Sequence, residues 1–342
     1  MEKVVLGLSD GVDSAVAAEL LKRQDYDVHG VYMDIAGKEG RDAAMKSAAR
    51  LGIECEAADV SAEMERYVKG PFREAYLRGM TPNPCLVCNP NVKLALLLRR
   101  ADGLGARYIA TGHYAVCDGK YIYAGRESCD QSYMLCRVTD EQVSRLLLPL
   151  GTYEKSEVRR MAREWGFPSA DKPDSRENCF IKGRSYREWI EEGGSFPGPG
   201  DALIDGVPVA RHEGIHRYTV GQRWPEDYGG RRYYVSGIDA ANDTVTLVKW
   251  EELFKTEFTA RELHFIGGAI DAPFTANVRV RHTRWEMPLC TVYPDGDTAF
   301  IVASEPFRAP APGQIAAFYI DGRLVGSARI SADAPLRLCR GK

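Results

Sequence analysis

At 342 residues the chain exceeds what one small core serves, so two or three domains are expected. Apolar content of 44% and charged content of 27% fit a globular protein, no long apolar run suggests a membrane-spanning helix, and the opening MEKVV lacks a secretory leader pattern, so cytoplasmic residence without a membrane partner is expected. A formal net charge of −3 gives no footprint for nucleic acid, so such a partner would need local basic patches, and nine cysteines in a chain of this kind read as free, catalytic or metal-binding thiols.

The first half alternates short apolar runs with helical periods. Val4–Leu8 reads as a strand, Asp13–Lys22 as a helix and Val28–Met33 as a strand; Arg41–Leu51, Ile53–Val60 and Glu63–Leu77 follow as helix, strand and helix. Asn91–Arg100 is helical, Tyr108–Ala110 a strand and Gly151–Trp165 a further helix. The alternation predicts an α/β fold with a parallel sheet covered on both faces. Glycine and proline punctuate Gly193–Asp201 as a linker, after which Arg231–Asp239, Asp243–Trp250 and Phe274–His282 read as antiparallel strands. A second change of pattern at Phe254–Phe265 divides this part into two small β domains.

Where the first strand stops, the chain runs Gly7-Leu8-Ser9-Asp10-Gly11-Val12-Asp13-Ser14. Backbone N–H groups at a helix start, helped by serine hydroxyls, form an anion site, and ligands of open α/β sheets sit beyond the carboxyl ends of strands. The same residues also suit an ordinary strand-to-helix turn with Ser9 as cap. The lysine of the Walker loop is missing. The pattern S-x-G-x-D-S resembles the pyrophosphate loop of ATP pyrophosphatases, which implies that ATP is cleaved to AMP and pyrophosphate here. Asp10 stands where that loop usually has glycine. An extra carboxylate repels phosphates unless Mg²⁺ bridges the two, so ATP binding is expected to be weakened or strictly metal-dependent.

The segment Gly79–Lys93, GMTPNPCLVCNPNVK, carries Cys85 and Cys88 between prolines 82, 84 and 90, which argue against a continuous helix. Asn89 as cap and Pro90 as first helical residue predict a helix opening just after Cys88, where the dipole lowers a thiol pKa. Alone, Cys85-x-x-Cys88 is compatible with redox chemistry, metal binding or neither. Cys179 follows a polar, proline-bearing loop and reads as an exposed thiol or as a buried strand residue before Phe180. Cysteines 55, 117, 129, 136, 290 and 339 read mostly as packed thiols.

Four separated segments are similar to the tRNA-specific 2-thiouridylase family: GLSDGVDSAVAAELLKRQ, TPNPCLVCNPNVK, ATGHYA with DQSYML, and KPDSRENCFI. Downstream, GIHRYTVGQR and PGQIAAFYIDGRLVGSARI match its two β domains, so the resemblance spans nearly the whole chain in the family's order. It implies an adenine-nucleotide α-hydrolase-like catalytic domain over residues 1–193, a central β domain over 199–258 and a tRNA-binding β-barrel over 262–342. It implies that ATP adenylylates the C2 oxygen of the wobble uridine of tRNA. Sulfur then arrives as a persulfide on Cys179 and either attacks C2 directly or is freed when Cys88 attacks the persulfide, leaving a Cys88–Cys179 disulfide. The donor would be a persulfide carrier protein or sulfide. Cys85, Cys88 and Cys179 would alternatively hold a four-iron four-sulfur cluster with one open iron.

The resemblance also assigns contacts. Residues 7–14, Met33 and Gly112 would meet ATP, with Met33 readable as a core residue too. Asn83, Pro84, Cys85 and His113 would face the target base, and Asp130, Gln131, Ser132, Arg281, His282 and Gln314 would face tRNA. Arg279, Arg281 and Arg284 alternate with apolar residues, which predicts three cations on one strand face, either binding phosphate or simply solvated. Two other functions stay open: a pyrophosphatase-loop enzyme acting on a small molecule, and a tRNA-binding paralogue without catalysis.

Overall fold

The computed structural model describes residues 1–35, 38–173, 178–181, 183–282 and 287–332, with backbone only at 38 and 39. The chain opens with β1 (Lys3–Gly7), α1 (Val12–Arg23), β2 (Asp27–Asp34), α2 (Lys38–Leu51) and β3 (Glu54–Asp59). Two long helical stretches follow. The first is α3 (Ser61–Met64), a π-helical turn at Glu65–Lys69 and α4 (Gly70–Leu77). The second is α5 (Pro84–Cys88), a π-helical turn at Asn89–Leu94 and α6 (Ala95–Leu104). Then come β4 (Tyr108–Ala110), the hairpin β5 (Ala115–Cys117) and β6 (Ile122–Ala124), α7 (Asp140–Arg145), β7 (Leu146–Leu147) and α8 (Lys155–Glu164).

The five strands β3-β2-β1-β4-β7 pair in that order, and every pairing is parallel. Parallel strands are covered on both faces and need near-continuous apolar runs. Val4, Val5 and Leu6 of β1 are accordingly 0% exposed, and the small residues Ala15, Ala17 and Ala18 let α1 pack closely against the sheet.

Both π turns adjoin prolines. Pro71 follows the first and Pro90 lies inside the second. Proline has no N–H for the carbonyl four residues back and its ring crowds that carbonyl. Widening the turn absorbs the mismatch without ending the helix. The helix expected to open after Cys88 therefore opens at Pro84, with Cys88 inside it at φ −62°, ψ −44°.

The chain divides into two compact units. The first comprises described residues within 1–69, 84–182 and 321–325, and the second those within 70–83, 183–320 and 326–342. Residues 70–83 join the second unit because α4 packs against α9 (Tyr186–Glu192). Tyr76 stacks on Tyr186 with ring centroids 4.7 Å apart, and Arg73 lies over the Trp189 ring at 4.6 Å. The catalytic part expected to run to residue 193 thus loses both α4 and α9 to the other unit.

In the second unit, β8 (Gly200–Ile204), β9 (Val207–His212), β10 (Arg223–Tyr228), β11 (Arg231–Asp239) and β12 (Thr244–Val248) form a sheet in the order β10-β11-β12-β8-β9. Its β8–β12 pairing is parallel, so the expectation of purely antiparallel strands fails there: the crossover returns β12 beside β8. The remaining strands are β13 (Phe254–Phe265), β14 (Phe274–Arg279), β15 (Leu289–Asp295), β16 (Thr298–Arg308), β17 (Ile315–Ile320) and β18 (Arg323–Ile330). They pair in the order β13-β16-β15-β14-β17-β18, and β18 pairs back onto β13, closing a barrel without free edges. In the first unit, Arg323 and Leu324 of β18 pair with β6.

Trp189 is 8% exposed and sits edge-on to Phe72 at 5.9 Å. Trp189→Ala is expected to remove about 3–5 kcal/mol of stability, read from the urea midpoint of the full chain.

Candidate functional site

Strand β1 has β2 on one side and β4 on the other, because the chain returns across β1 after β3. That reversal leaves a crevice at the carboxyl ends of β1 and β4, where ligands of open α/β sheets bind. The loops there are Leu8–Gly11 and Thr111–His113.

The first loop is shaped by two serines. Ser14 Oγ accepts from the Ser9 amide at 3.0 Å and lies 3.0 Å from Ser9 Oγ, while Ser9 Oγ accepts from the Gly11 amide at 3.1 Å. Gly11 precedes α1 with φ −86°, and no side chain caps the helix. The expected Ser9 cap is therefore absent, and the loop turns back on itself to present the helix start. Asp13, in the first turn, accepts from the Tyr114 hydroxyl at 2.6 Å and from Lys155 Nζ at 2.7 Å on each carboxylate oxygen. Asp10 is ion-paired with Lys172, so it does not stand in the loop as a bare negative charge.

Gly112 packs closely against the start of α1. A Cβ there would lie 3.0 Å from the carbonyl carbon of Asp13 and 3.2 Å from its Cβ. The missing side chain lets the β4 loop close on α1. Met33 is half-buried at the end of β2, and Asp34 beside it is ion-paired with Arg41.

The three thiols lie within electrostatic reach of one another. Cys88 is buried, 9% exposed, with its sulfur 4.0 Å from Met64 Sδ, whereas Cys85 and Cys179 reach the surface. The Cys88 thiol is pushed up to about 11, chiefly by burial, with the charges of Cys179 and Cys85 acting the same way and Lys93 opposing them. Burial also raises Cys85 and Cys179, the second with a contribution from Cys85. The expected lowering of Cys88 by a helix start fails because Cys88 is a full turn inside the helix and buried. Cys179 also adds to the raised pKa of the Tyr32 phenol, behind burial and the carboxylates of Asp34 and Asp10. Tyr32 thus stands within electrostatic reach of both the first loop and the third thiol.

Lys93 is a charge near the thiols that the sequence reading did not single out. Its charge opposes the rise at Cys85, Cys88 and Cys179, and its own backbone N–H hydrogen-bonds the Cys88 thiol. In a regular α-helix, five residues apart is a different face; the π turn between Cys88 and Lys93 brings them round together. Burial first and Lys93 second hold the His113 pKa well below its usual value, so the ring is neutral at pH 7, with Nδ1 2.8 Å from Thr111 Oγ1. Among the described residues no group of three or more His, Cys, Asp or Glu side chains is arranged to hold a metal ion.

Several residues that the resemblance assigns to tRNA also make hydrogen bonds within the protein. Asp130 and Ser132 are 8% and 0% exposed, and Asp130 accepts from the Gly125 amide at 2.8 Å and from Ser132 Oγ at 3.0 Å. Gln131 Oε1 accepts from the Tyr114 amide at 3.1 Å. Asp130 and Ser132 are thus buried and inward-bonded, while Gln131 is half-buried. Strand β14 ends at Arg279, so the alternation expected to align Arg279 with Arg281 and Arg284 stops there. Arg281 donates to the carbonyls of Val220 at 3.1 Å and Ala309 at 2.6 Å; Arg284 lies outside the described residues, as does Cys339. His282 is exposed. Gln314 Nε2 donates to the Thr81 carbonyl at 2.8 Å, and the Thr81 amide donates to the Pro312 carbonyl at 2.7 Å, fixing the loop that leads to half-buried Asn83. Pro84 is buried at the start of α5.

Residues 2–183 match the family described as the tRNA methyl transferase HUP domain, residues 197–249 its PRC-barrel domain, and residues 255–330 the aminomethyltransferase β-barrel domain. The protein named tRNA-specific 2-thiouridylase MnmA from Acetivibrio thermocellus is 37% identical, over 95% of this chain and 97% of that protein. Its namesake from Carboxydothermus hydrogenoformans is 36% identical, over 96% and 97%. This chain belongs to the tRNA-specific 2-thiouridylase family. The 2-thiouridylase relatives have nearly this chain's length, so both compact units fall within the matched region. Among the described residues no helix is long and apolar enough to cross a membrane.

Two outcomes follow from the site. At pH 8, with a pKa near 11, only about one Cys88 in a thousand is thiolate. Iodoacetamide labelling of Cys88 should therefore rise roughly tenfold per pH unit from pH 8 to 10, and Lys93→Met should shift that rise upward; a plateau below pH 8 would contradict the geometry. Gly112→Ala should cost about 1–3 kcal/mol in thermal unfolding, because the Asp13 backbone it strikes is fixed in a helix.

Proposed function

We propose that the protein thiolates the wobble uridine of tRNA at C2, with ATP as the activating substrate. The observation that carries this is the meeting of Cys88, Cys85 and Cys179 in one electrostatic cluster that also reaches Tyr32 and, through it, the loop beyond β1. An adenylating site needs no such thiols unless sulfur is to be delivered. Membership of the 2-thiouridylase family, and the names its members carry, support the same reading.

The C2 oxygen of uridine attacks the α-phosphorus of ATP, and pyrophosphate leaves from the start of α1. The carbonyl oxygen, now bonded to AMP, has become a good leaving group. Sulfur comes from a persulfide carrier protein: the Cys179 thiolate attacks the carrier's terminal sulfur, the carrier thiol leaves, and exposed Cys179 holds the persulfide; where sulfide is the donor it adds to C2 directly and AMP leaves. The terminal sulfur of the Cys179 persulfide attacks C2 and AMP departs with the oxygen. The Cys88 thiolate then attacks Cys179 Sγ, releasing the thiocarbonyl and closing a Cys88–Cys179 disulfide, which a thiol reductant reopens. In the other order Cys88 attacks first and frees sulfide, which adds to C2. Lys93 favours the Cys88 thiolate at that moment, and neutral His113 can hydrogen-bond the uracil ring without adding charge. Mg²⁺ would accompany the ATP phosphates. The iron–sulfur alternative has three thiols but no metal-holding arrangement among the described residues, so no step is assigned to a cluster.

The test is mass spectrometry of nucleosides after incubating tRNA with protein, ATP and sulfide or a persulfide donor. A 2-thiouridine nucleoside should appear with one AMP released per sulfur. With the persulfide donor, Cys179→Ser and Cys88→Ser should each reduce it at least a hundredfold. AMP formation independent of tRNA would favour the small-molecule enzyme, and tRNA retention without sulfur transfer the inactive paralogue.

A further inference from the structure

Two lysines distant in sequence end on the two carboxylates of the loop after β1. Lys155, 142 residues from Asp13, spans both its oxygens beside the Tyr114 hydroxyl, and the side chains of Lys155 and Asp13 are 23% and 30% exposed. Lys172, 162 residues from Asp10, touches one carboxylate oxygen, and both side chains are more open, at 49% and 40%. Exposed one-point pairs contribute little and exchange readily. Lys155 is committed to holding α1, whereas Lys172 is held loosely at the mouth of the crevice where a helix start and a sheet reversal both favour an anion.

We infer that Lys172 is a phosphate-binding residue of the nucleotide site, and that Asp10 holds it in place until the nucleotide arrives. The inference rests on the ATP reading above. Asp10 then does not act chiefly by repelling phosphate. Paired, it adds no net charge to the loop. When ATP enters, phosphate oxygens take the ammonium group, and the freed carboxylate turns to water or to the hydration shell of the accompanying Mg²⁺. No bond is made or broken; one ion pair replaces another.

The experiment is calorimetric titration of the full chain with MgATP, and with adenosine as a control for the base-binding part. Lys172→Gln should weaken MgATP about tenfold or more and leave adenosine unchanged, and Lys172→Arg should stay within about threefold of the parent. The deciding comparison removes Asp10. If Lys172 meets phosphate, the double variant D10G/K172Q should bind MgATP about tenfold more weakly than D10G alone. Equal affinities for those two would mean that Lys172 only shields Asp10, and would overturn the inference while leaving the proposed function intact. A parent protein that binds no MgATP would overturn both. Both side chains are exposed, so the variants should fold, and an unchanged melting curve verifies it.

Discussion

The carboxylate of Asp13 ties together three parts of the first unit. Its backbone lies against Gly112 in the loop after β4, and its side chain takes the Tyr114 hydroxyl from the segment beyond that loop and the Lys155 ammonium from α8. These contacts fix the start of α1 against the crevice beside β1. Without them the loop from Ser9 to Ser14 would be an ordinary turn with a helix dipole behind it. With them the amides at the helix start are held at one place relative to Thr111–His113, which is what an in-line reaction at phosphorus requires.

The thiols obey a different constraint. Sulfur transfer needs thiolates, yet all three cysteines are raised by the chain packed around them. Such a site is quiet until something changes. Lys93 opposes the effect of burial at each thiol, and the π turn that places it also lets Pro90 stay inside a helix. A single irregularity in one helix thus serves both the backbone and the chemistry. The neutral His113 ring fits the same logic, since another cation there would compete with Lys93 for the thiolates.

Much of this was legible in the sequence where the cause is local. The apolar run into Ser9, the serine and acid pattern, and the three-residue spacing of Cys85 and Cys88 each speak within a dozen residues. The parallel sheet followed from alternating periods. What escaped was non-local or contrary to a rule of thumb. Pro90 argued for a helix boundary, and only the π turn shows how the helix absorbs it. Lys93 carried no signal because five-residue spacing means nothing in a regular helix. The pairing of Asp10 with Lys172 spans 162 positions, so an acid that looked like a flaw gains a partner the sequence could not supply. Asp130, Gln131 and Ser132 looked like a surface motif, but their side chains satisfy neighbouring amides and a hydroxyl. Arg281 looked like one of a row of cations until the strand ended two residues before it.

The account stands on Cys179 sharing one site with the cysteine helix. Mild oxidation of the full chain, followed by digestion without reduction and mass spectrometry of the peptides, measures this directly. The account expects the Cys179 peptide to be joined to the peptide carrying Cys85 and Cys88, at low oxidant concentration and before the packed thiols at 55, 117, 136 and 290 react. A Cys179 that stays free while other cysteines oxidise, or that joins only a second molecule, would contradict it.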